Sequence, residues 1–313
     1  VSRLVKTLVV LVIAAALVGG LTYYFLFKRG LRGALSVTGL ELWVDPGAVT
    51  EASTPLEVHI GVNNSFPVSV KIGGGGLRIA LCGLTLATVG IPAQEVKQGF
   101  TVLAANAVLD NTLLDEFWYC HLSSGEKSNV TVEGSIEVST PVGPLRLPVK
   151  YLGVVETRVF PVERELNREY DAGVLGRVVL RKLAVELVEV TPSETRLRAS
   201  ITVENKLKAI PLYVNWIVFS VKTGGGLTLG TGEQETPKLI APGEVDAVVF
   251  SIVIDNSKIP KLWVEHLKNK EKTSINIEVW LRINVAGRGI EVFREHPLVI
   301  STVLETSIFE YKV

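Results

Sequence analysis

Residues 108–133 read VLDNTLLDEFWYCHLSSGEKSNVTVE, and residues 253–278 read VIDNSKIPKLWVEHLKNKEKTSINIE. The two align without a gap at an offset of 145 (253 − 108). Asp110-Asn111 matches Asp255-Asn256, and Thr112 matches Ser257. Trp118, His121 and Leu122 match Trp263, His266 and Leu267, and Glu126-Lys127 returns as Glu271-Lys272. Away from this block the offset drifts, to 150 at Pro92/Pro242 and 141 at Asn64/Asn205. Drift of that kind is what loop insertions do to a duplicated domain. The chain carries a tandem duplication.

Each copy predicts one short helix among many strands. Leu114, Trp118 and Leu122 recur at i, i+4 and i+8, one apolar stripe of a helix, and Ile259, Trp263 and Leu267 repeat it. Thr112 and Ser257 are placed to cap these helices, with Asp115 as a box-like partner to Thr112. Pro260 falls in a first turn, where a missing N–H costs little. Gly125 or Asn269 is expected to end the helix in a left-handed residue. The flanks alternate with period two: Val130, Val132, Ile136 and Val138 against Thr131, Glu133, Ser135 and Glu137, and Leu197, Ala199, Ile201 and Val203 against Arg198, Ser200, Thr202 and Glu204. Gly134 falls on the apolar side of its strand, which predicts a bulge or a close backbone approach. Short strands joined by turns and one helix indicate an antiparallel β-sandwich in each copy. Between the copies, PVERELNREYDAGVLGR (161–177) is charged, carries Gly173 and Gly176, and is expected to be a connector, partly helical.

The chain has 313 residues, with 32 Lys+Arg against 32 Asp+Glu. A formal charge of zero argues against nucleic-acid binding, which usually calls for a basic excess on one face. Two cysteines cannot staple a fold of this length, and the absence of Met with only three Gln leans toward a thermophile. Leu8–Phe27, LVVLVIAAALVGGLTYYFLF, is twenty residues without a charge, enough to cross a hydrocarbon core of about 30 Å. Arg3 and Lys6 precede it, Lys28, Arg29 and Arg32 follow, and Tyr23 and Tyr24 sit near the second boundary. A spanning anchor is the favoured reading, ahead of a cleaved signal peptide and a buried core helix. The basic flanks nearly cancel; the short head before Leu8 favours a signal-anchor with the bulk of the chain outside the cell. The sequons Asn63-Asn64-Ser65 and Asn129-Val130-Thr131 make Asn63 and Asn129 candidate glycosylation sites on that side.

The sequence resembles the late embryogenesis abundant group 2 family, also called the WHy (water stress and hypersensitive response) domain. Val62-Asn63-Asn64-Ser65-Phe66-Pro67 looks like the family's Asn-rich corner, and Ile91-Pro92-Ala93 like its mid-domain turn. In the second copy Val203-Glu204-Asn205, Ile210-Pro211-Leu212 and Ala241-Pro242-Gly243 are similar, and the family's usual Asn-Pro dipeptide is absent from both copies. The resemblance implies a mainly β chain of two tandem immunoglobulin-like antiparallel β-sandwiches, each with one short helix, behind a single transmembrane helix. The expected organisation is an anchor over 1–30, a first sandwich over 36–160, a connector over 161–178 and a second sandwich over 179–313. Family members are non-enzymatic and linked to stress protection, and some relatives are thought to bind or transfer lipids through an apolar groove.

No catalytic, metal or cofactor site is expected. Cys120-His121 beside Trp118 has no second Cys or His at ligand spacing, and the second copy has Glu265 in place of Cys120. The repeated His121 and His266 read as structural hydrogen bonds at the helix end, and Asp110, Asn111, Asp255 and Asn256 as structural partners. His59 and His296 complete the histidines. Cys82 and Cys120 are either one disulfide or free buried thiols. Gly73–Gly76 and Gly224–Gly226 lack the Lys-[Ser/Thr] of a phosphate loop and read as glycines of turns, edge strands or distorted strands. Trp118 and Trp263 are either core residues or the wall of an apolar groove. Three functions follow in order: a structural or stress-protective protein of the cell membrane, extracytoplasmic in bulk; a lipid-binding or lipid-transfer module; and a subunit of an extracellular filament or surface layer assembling by strand addition through the final TSIFEYKV. The partners expected are membrane lipids through the N-terminal helix, and a lipid ligand or a protein.

Overall fold

The computed structural model describes residues 35–65, 69–140, 143–156, 160–171, 173–285, 288–292, 297–305 and 309–311. The expected anchor over 1–30 lies outside the described residues, as do Phe66-Pro67 of the corner and His296. Among the described residues no helix is long and apolar enough to cross a membrane.

The fold is mainly β and forms two compact units. In unit 1, strands β1 (Leu35–Val44), β2 (Ser53–Asn64), β3 (Val70–Leu81), β4 (Leu84–Ile91), β5 (Gln94–Val96), β6 (Gly99–Asp110), β7 (Lys127–Thr140) and β8 (Gly143–Glu156) run in the order β1-β2-β6-β4-β3-β7-β8, with β5 on β3. Helix α1 (Leu114–Ser123) lies between β6 and β7. The alternation read from sequence sets the buried face: Val58, Ile60, Val132 and Ile136 are each at most 1% exposed. Each such side chain stabilises the unit by about 1.5–3 kcal/mol.

Unit 1 is one continuous sheet, because β4 pairs with both β6 and β3, whereas the strands of unit 2 divide between two sheets. Strands β9 (Val162–Asp171), β10 (Gly176–Val190), β11 (Glu194–Leu207) and β14 (Val245–Asp255) form one sheet, in the order β14-β11-β10-β9. Strands β12 (Leu212–Thr223), β13 (Thr228–Ile240), β15 (Lys272–Val285) and β16 (Arg288–Val292) form the other, with β17 (Leu298–Glu305) on β15. Ala199, Val214, Ile252 and Val279 from both sheets share one core. The run β10-β11-β14 repeats β1-β2-β6, and helix α2 (Ile259–Lys268) follows β14 as α1 follows β6.

Three departures from the sequence reading have physical causes. The segment expected to be a connector is largely strand β9, paired antiparallel with β10 from Arg177↔Asp171 to Val185↔Val162. Its charged side chains are mostly exposed and it caps the end of its sheet, so charge did not exclude a strand. Its helical content is one 3₁₀ turn, Gly173–Leu175. Second, Gly73–Gly76 occupy the interior of β3, between β4 or β5 and β7, not a turn or edge, and the register slip between Ile72 and Gly74 makes this a distorted strand; Gly224–Gly226 form the turn after β12.

Third, the compact units do not follow the repeat. Residues 263–272 and 305–313 belong to unit 1. Leu267 (0% exposed) and Phe309 (8%) bury in its core, and strand β18 (Glu310–Tyr311) pairs parallel with the edge strand β1. Trp263 Nε1 donates to Thr54 Oγ1 at 3.1 Å, and the Phe309 amide donates to Glu271 Oε2 at 3.0 Å. The terminal strand thus closes an edge of its own chain.

Gly134 is a close approach and not a bulge, since the β3–β7 register is unbroken around it. A Cβ at that position would stand 2.1 Å from Gly76 O and 2.9 Å from Leu77 Cα, both main chain. Gly134→Val is expected to destabilise unit 1 by about 3 kcal/mol, the upper range for overpacking. A shift in the chemical denaturation midpoint worth less than about 1 kcal/mol would refute the close approach.

Candidate functional site

The residues repeated between the copies gather at the two ends of each short helix. On entry the chain passes through a 3₁₀ turn, Asn111–Leu113 or Asn256–Lys258. Asp110 Oδ1 accepts from the Thr112 amide at 3.0 Å and from Thr112 Oγ1 at 2.6 Å; Asp255 takes the same bonds from Ser257 at 3.0 and 2.6 Å. The capping residues are therefore Asp110 and Asp255, not Thr112 and Ser257, because the 3₁₀ turn moves the start of the helix forward. Asp115 turns to the Glu116 amide instead of back to Thr112. The Ser257 hydroxyl holds the Asp255 carboxyl below its ordinary range.

Next to each cap is a buried asparagine. Asn111, fully buried, donates from Nδ2 to Thr50 O at 2.7 Å, and its Oδ1 accepts from Thr54 Oγ1 at 3.0 Å. Asn256, also fully buried, donates to Thr191 O at 2.8 Å and accepts from Thr195 Oγ1 at 2.7 Å. The corner asparagines match as well: Asn64 Nδ2 donates to Val96 O at 3.1 Å, and Asn205 Nδ2 to Ile240 O at 2.9 Å.

The helix exits repeat in the same detail. The Gly125 amide donates to Leu122 O and the Glu126 amide to His121 O; Lys270 and Glu271 do so to Leu267 and His266. This is the paired bonding of a Schellman ending. In the second copy the left-handed residues are Lys270 (φ 52) and Glu271 (φ 60), not Asn269. The position after the cap sets the conformation, and it falls one residue past the Asn.

Beyond the exit, His121 Nδ1 stands 2.7 Å from Ser128 Oγ, with Glu126 between them in sequence. Sequence reasoning found no Ser-His-acid set and missed Ser128; the repeated Glu126-Lys127 was the available signal. His121, Glu126 and Ser128 are 4%, 7% and 2% exposed, so the hydroxyl is closed to any substrate. His266 (2%) and Glu271 (2%) are as deeply set. Burial holds both imidazoles below their ordinary value of 6.5, while Glu126 and Glu271 pull the other way.

This has a stability consequence of definite sign. The unfolded chain takes up a proton on each histidine near pH 6.5, whereas the folded chain resists until a lower pH. Stability is full above about pH 6.5 and falls as the pH drops below it, by up to about 1.4 kcal/mol per unit per histidine. Asp255, with its lowered value, acts in a separate window below about pH 4. His121→Asn keeps a polar atom for Ser128 but cannot titrate. Urea midpoints of that variant between pH 5 and 6.5 are expected to vary less steeply than those of the parent; equal slopes would remove His121 as a cause.

Cys82 and Cys120 form a disulfide with Cα atoms 6.3 Å apart, joining the β3–β4 turn to α1. Cys120 therefore offers no thiolate, and among the described residues no three His, Cys, Asp or Glu stand together as a metal set. Trp118 and Trp263 are half-buried; Trp263 meets Phe309 edge-on at 6.1 Å. Asn129 is exposed, and Asn63 is half-buried in β2. A groove of about 480 Å³ in unit 2 is bordered by Glu194, Asp255 and Lys258, by the hydroxyl residues Ser193 and Thr228, and by the apolar Leu229 and Val253.

No protein-family model and no curated protein matches the chain. Among solved structures it is similar to a protein from Archaeoglobus fulgidus, at 22% identity and a TM-score of 0.35, over 41% of this chain and 98% of that one. It is similar to a protein from Arabidopsis thaliana at 15% identity and a TM-score of 0.25, over 42% of this chain and 85% of that one. A putative β-galactosidase from Bacteroides fragilis matches at 12% identity and a TM-score of 0.25, over 83% of this chain and 34% of that one.

Proposed function

We propose that the chain is a membrane-anchored, non-enzymatic envelope protein whose two WHy-like, immunoglobulin-like sandwiches serve a structural or stress-protective role outside the cell. The observation that carries this reading is where the repeated residues lie. Asp110/Asp255 and Asn111/Asn256 make the same local bonds in both copies, and His121/His266 are buried at matching helix ends. Such residues maintain a scaffold. The Cys82–Cys120 bridge supports placement in an oxidising compartment, and Leu8–Phe27 supplies the anchor.

The lipid-transfer reading has less support. The large buried side chains gather in two packed clusters, and the groove in unit 2 sets Glu194, Asp255 and Lys258 beside Leu229 and Val253, a mixed lining and not a long uncharged channel for an acyl chain. The filament reading loses its donor strand to β1 of the same chain.

The test is protection of a labile soluble enzyme through drying and rehydration, with the full chain in lipid nanodiscs at near-equimolar ratio. Recovered enzyme activity is expected to exceed that with empty nanodiscs at least twofold. Equal recovery would remove the stress-protective role. Labelling of intact cells with a membrane-impermeant maleimide, after and before impermeant reductant, reads the location. Reductant-dependent labelling places the cysteines outside, and its absence places them inside.

A further inference from the structure

The outward face of β6 begins with two strongly exposed apolar residues, Phe100 (65%) and Val102 (53%). Val102 pairs with Gly61, and Gly61 with Gly39, so at that rung the next two strands carry no side chain. Lys97, three residues before Phe100, is exposed.

The register places this patch at one particular end of unit 1. Leu35, the first residue of β1, pairs with Asn64, and Asn64 pairs with Gly99, the first residue of β6. Two strand spacings, about 10 Å, separate the start of β1 from the start of β6. In sequence only residues 28–34 lie between the apolar run ending at Phe27 and Leu35. Such a link reaches at most about 29 Å. It carries Lys28, Arg29 and Arg32, matching Lys97 in sign. The helix α1, the disulfide and Asn129 belong to the opposite strand ends.

We propose that Phe100 and Val102 rest in the headgroup region of the bilayer beside the chain's own anchor, with Lys97 on anionic lipid phosphates. Apolar side chains gain by leaving water there, and each cation adds attraction to an anionic surface. The short link keeps the local concentration of this contact high. The inference rests on the reading of Leu8–Phe27 as a membrane span.

The test compares Phe100→Trp with Val108→Trp, which lies at the far end of the same strand. Full-length chains are placed in nanodiscs of phosphatidylcholine and phosphatidylglycerol, with and without brominated acyl chains, and the added fluorescence over the parent is read. Bromolipid is expected to quench the Phe100→Trp signal at least twofold more than the Val108→Trp signal. Equal quenching, or none in either variant, overturns the membrane contact while the anchor stands, provided the chain co-elutes with the discs. A chain that stays in solution without discs or detergent overturns the anchor reading, and this inference with it.

Discussion

Replacing Cys82 and Cys120 together by serine is expected to lower the stability of unit 1 by about 4 kcal/mol. The bridge closes a loop of 38 residues, and the chain-entropy relation for a loop of that length gives about 4 kcal/mol at 25 °C. The loop covers β4, β5, β6 and the first two-thirds of α1, so the unbridged unfolded chain gains freedom across half of one sandwich. The second copy supplies an internal control. Its counterparts are Gly224, whose amide donates to Ser274 O as that of Cys82 donates to Asn129 O, and Glu265. Reductant should therefore shift the unfolding of unit 1 and leave unit 2 in place. Hydrogen exchange of the full chain in detergent, followed by peptides of α1 and β3 against peptides of β11 and β14, separates the two. Equal protection in α1 with and without reductant would mean that the bridge adds nothing beyond the packed core.

Asn111→Ala and Asn256→Ala are each expected to cost about 3 kcal/mol. Both side chains are fully buried and join a loop carbonyl, Thr50 O or Thr191 O, to a buried threonine hydroxyl, Thr54 or Thr195. Alanine removes the bonds to the carbonyl and to the hydroxyl, although Thr54 Oγ1 keeps the Trp263 donor, and losing a partner at a buried polar group costs about 1–3 kcal/mol. Asn→Ser at the same sites retains a short polar group and should recover part of the loss. Chemical denaturation measures both. Alanine variants within about 0.5 kcal/mol of the parent would show that the loops relax and find other partners.

Much of the architecture was legible because burial writes a period into the chain. The alternation at Val130–Val138 and Leu197–Val203 marked strands, and their inward residues form the two cores. The i, i+4, i+8 stripe marked α1 and α2. Gly134 was legible as a special site because a missing side chain on an apolar face requires a reason. The site was less legible. Asp110 and Asn111 stood out only because they repeat, and nothing local distinguished the capping Asp from the adjacent Thr. Ser128 was missed because its partner lies across a helix ending, where neither the helical nor the strand period applies.

By itself the sequence determined that the chain is duplicated, that each copy alternates as strands around one helix, and that a charge-free run of twenty residues precedes them. Those properties are local: a period, a repeat and a length can be read without knowing what touches what. The tertiary structure alone decided that 161–178 contributes a strand, that Cys82 meets Cys120, that Leu267 and Phe309 complete the core of unit 1, and that β18 lies parallel on β1. An apolar face states that it must be covered, but several surfaces of similar hydrophobicity can cover it. Which one does is set by backbone register, side-chain volume and the hydrogen bonds left over, and these are fixed only when distant segments have met.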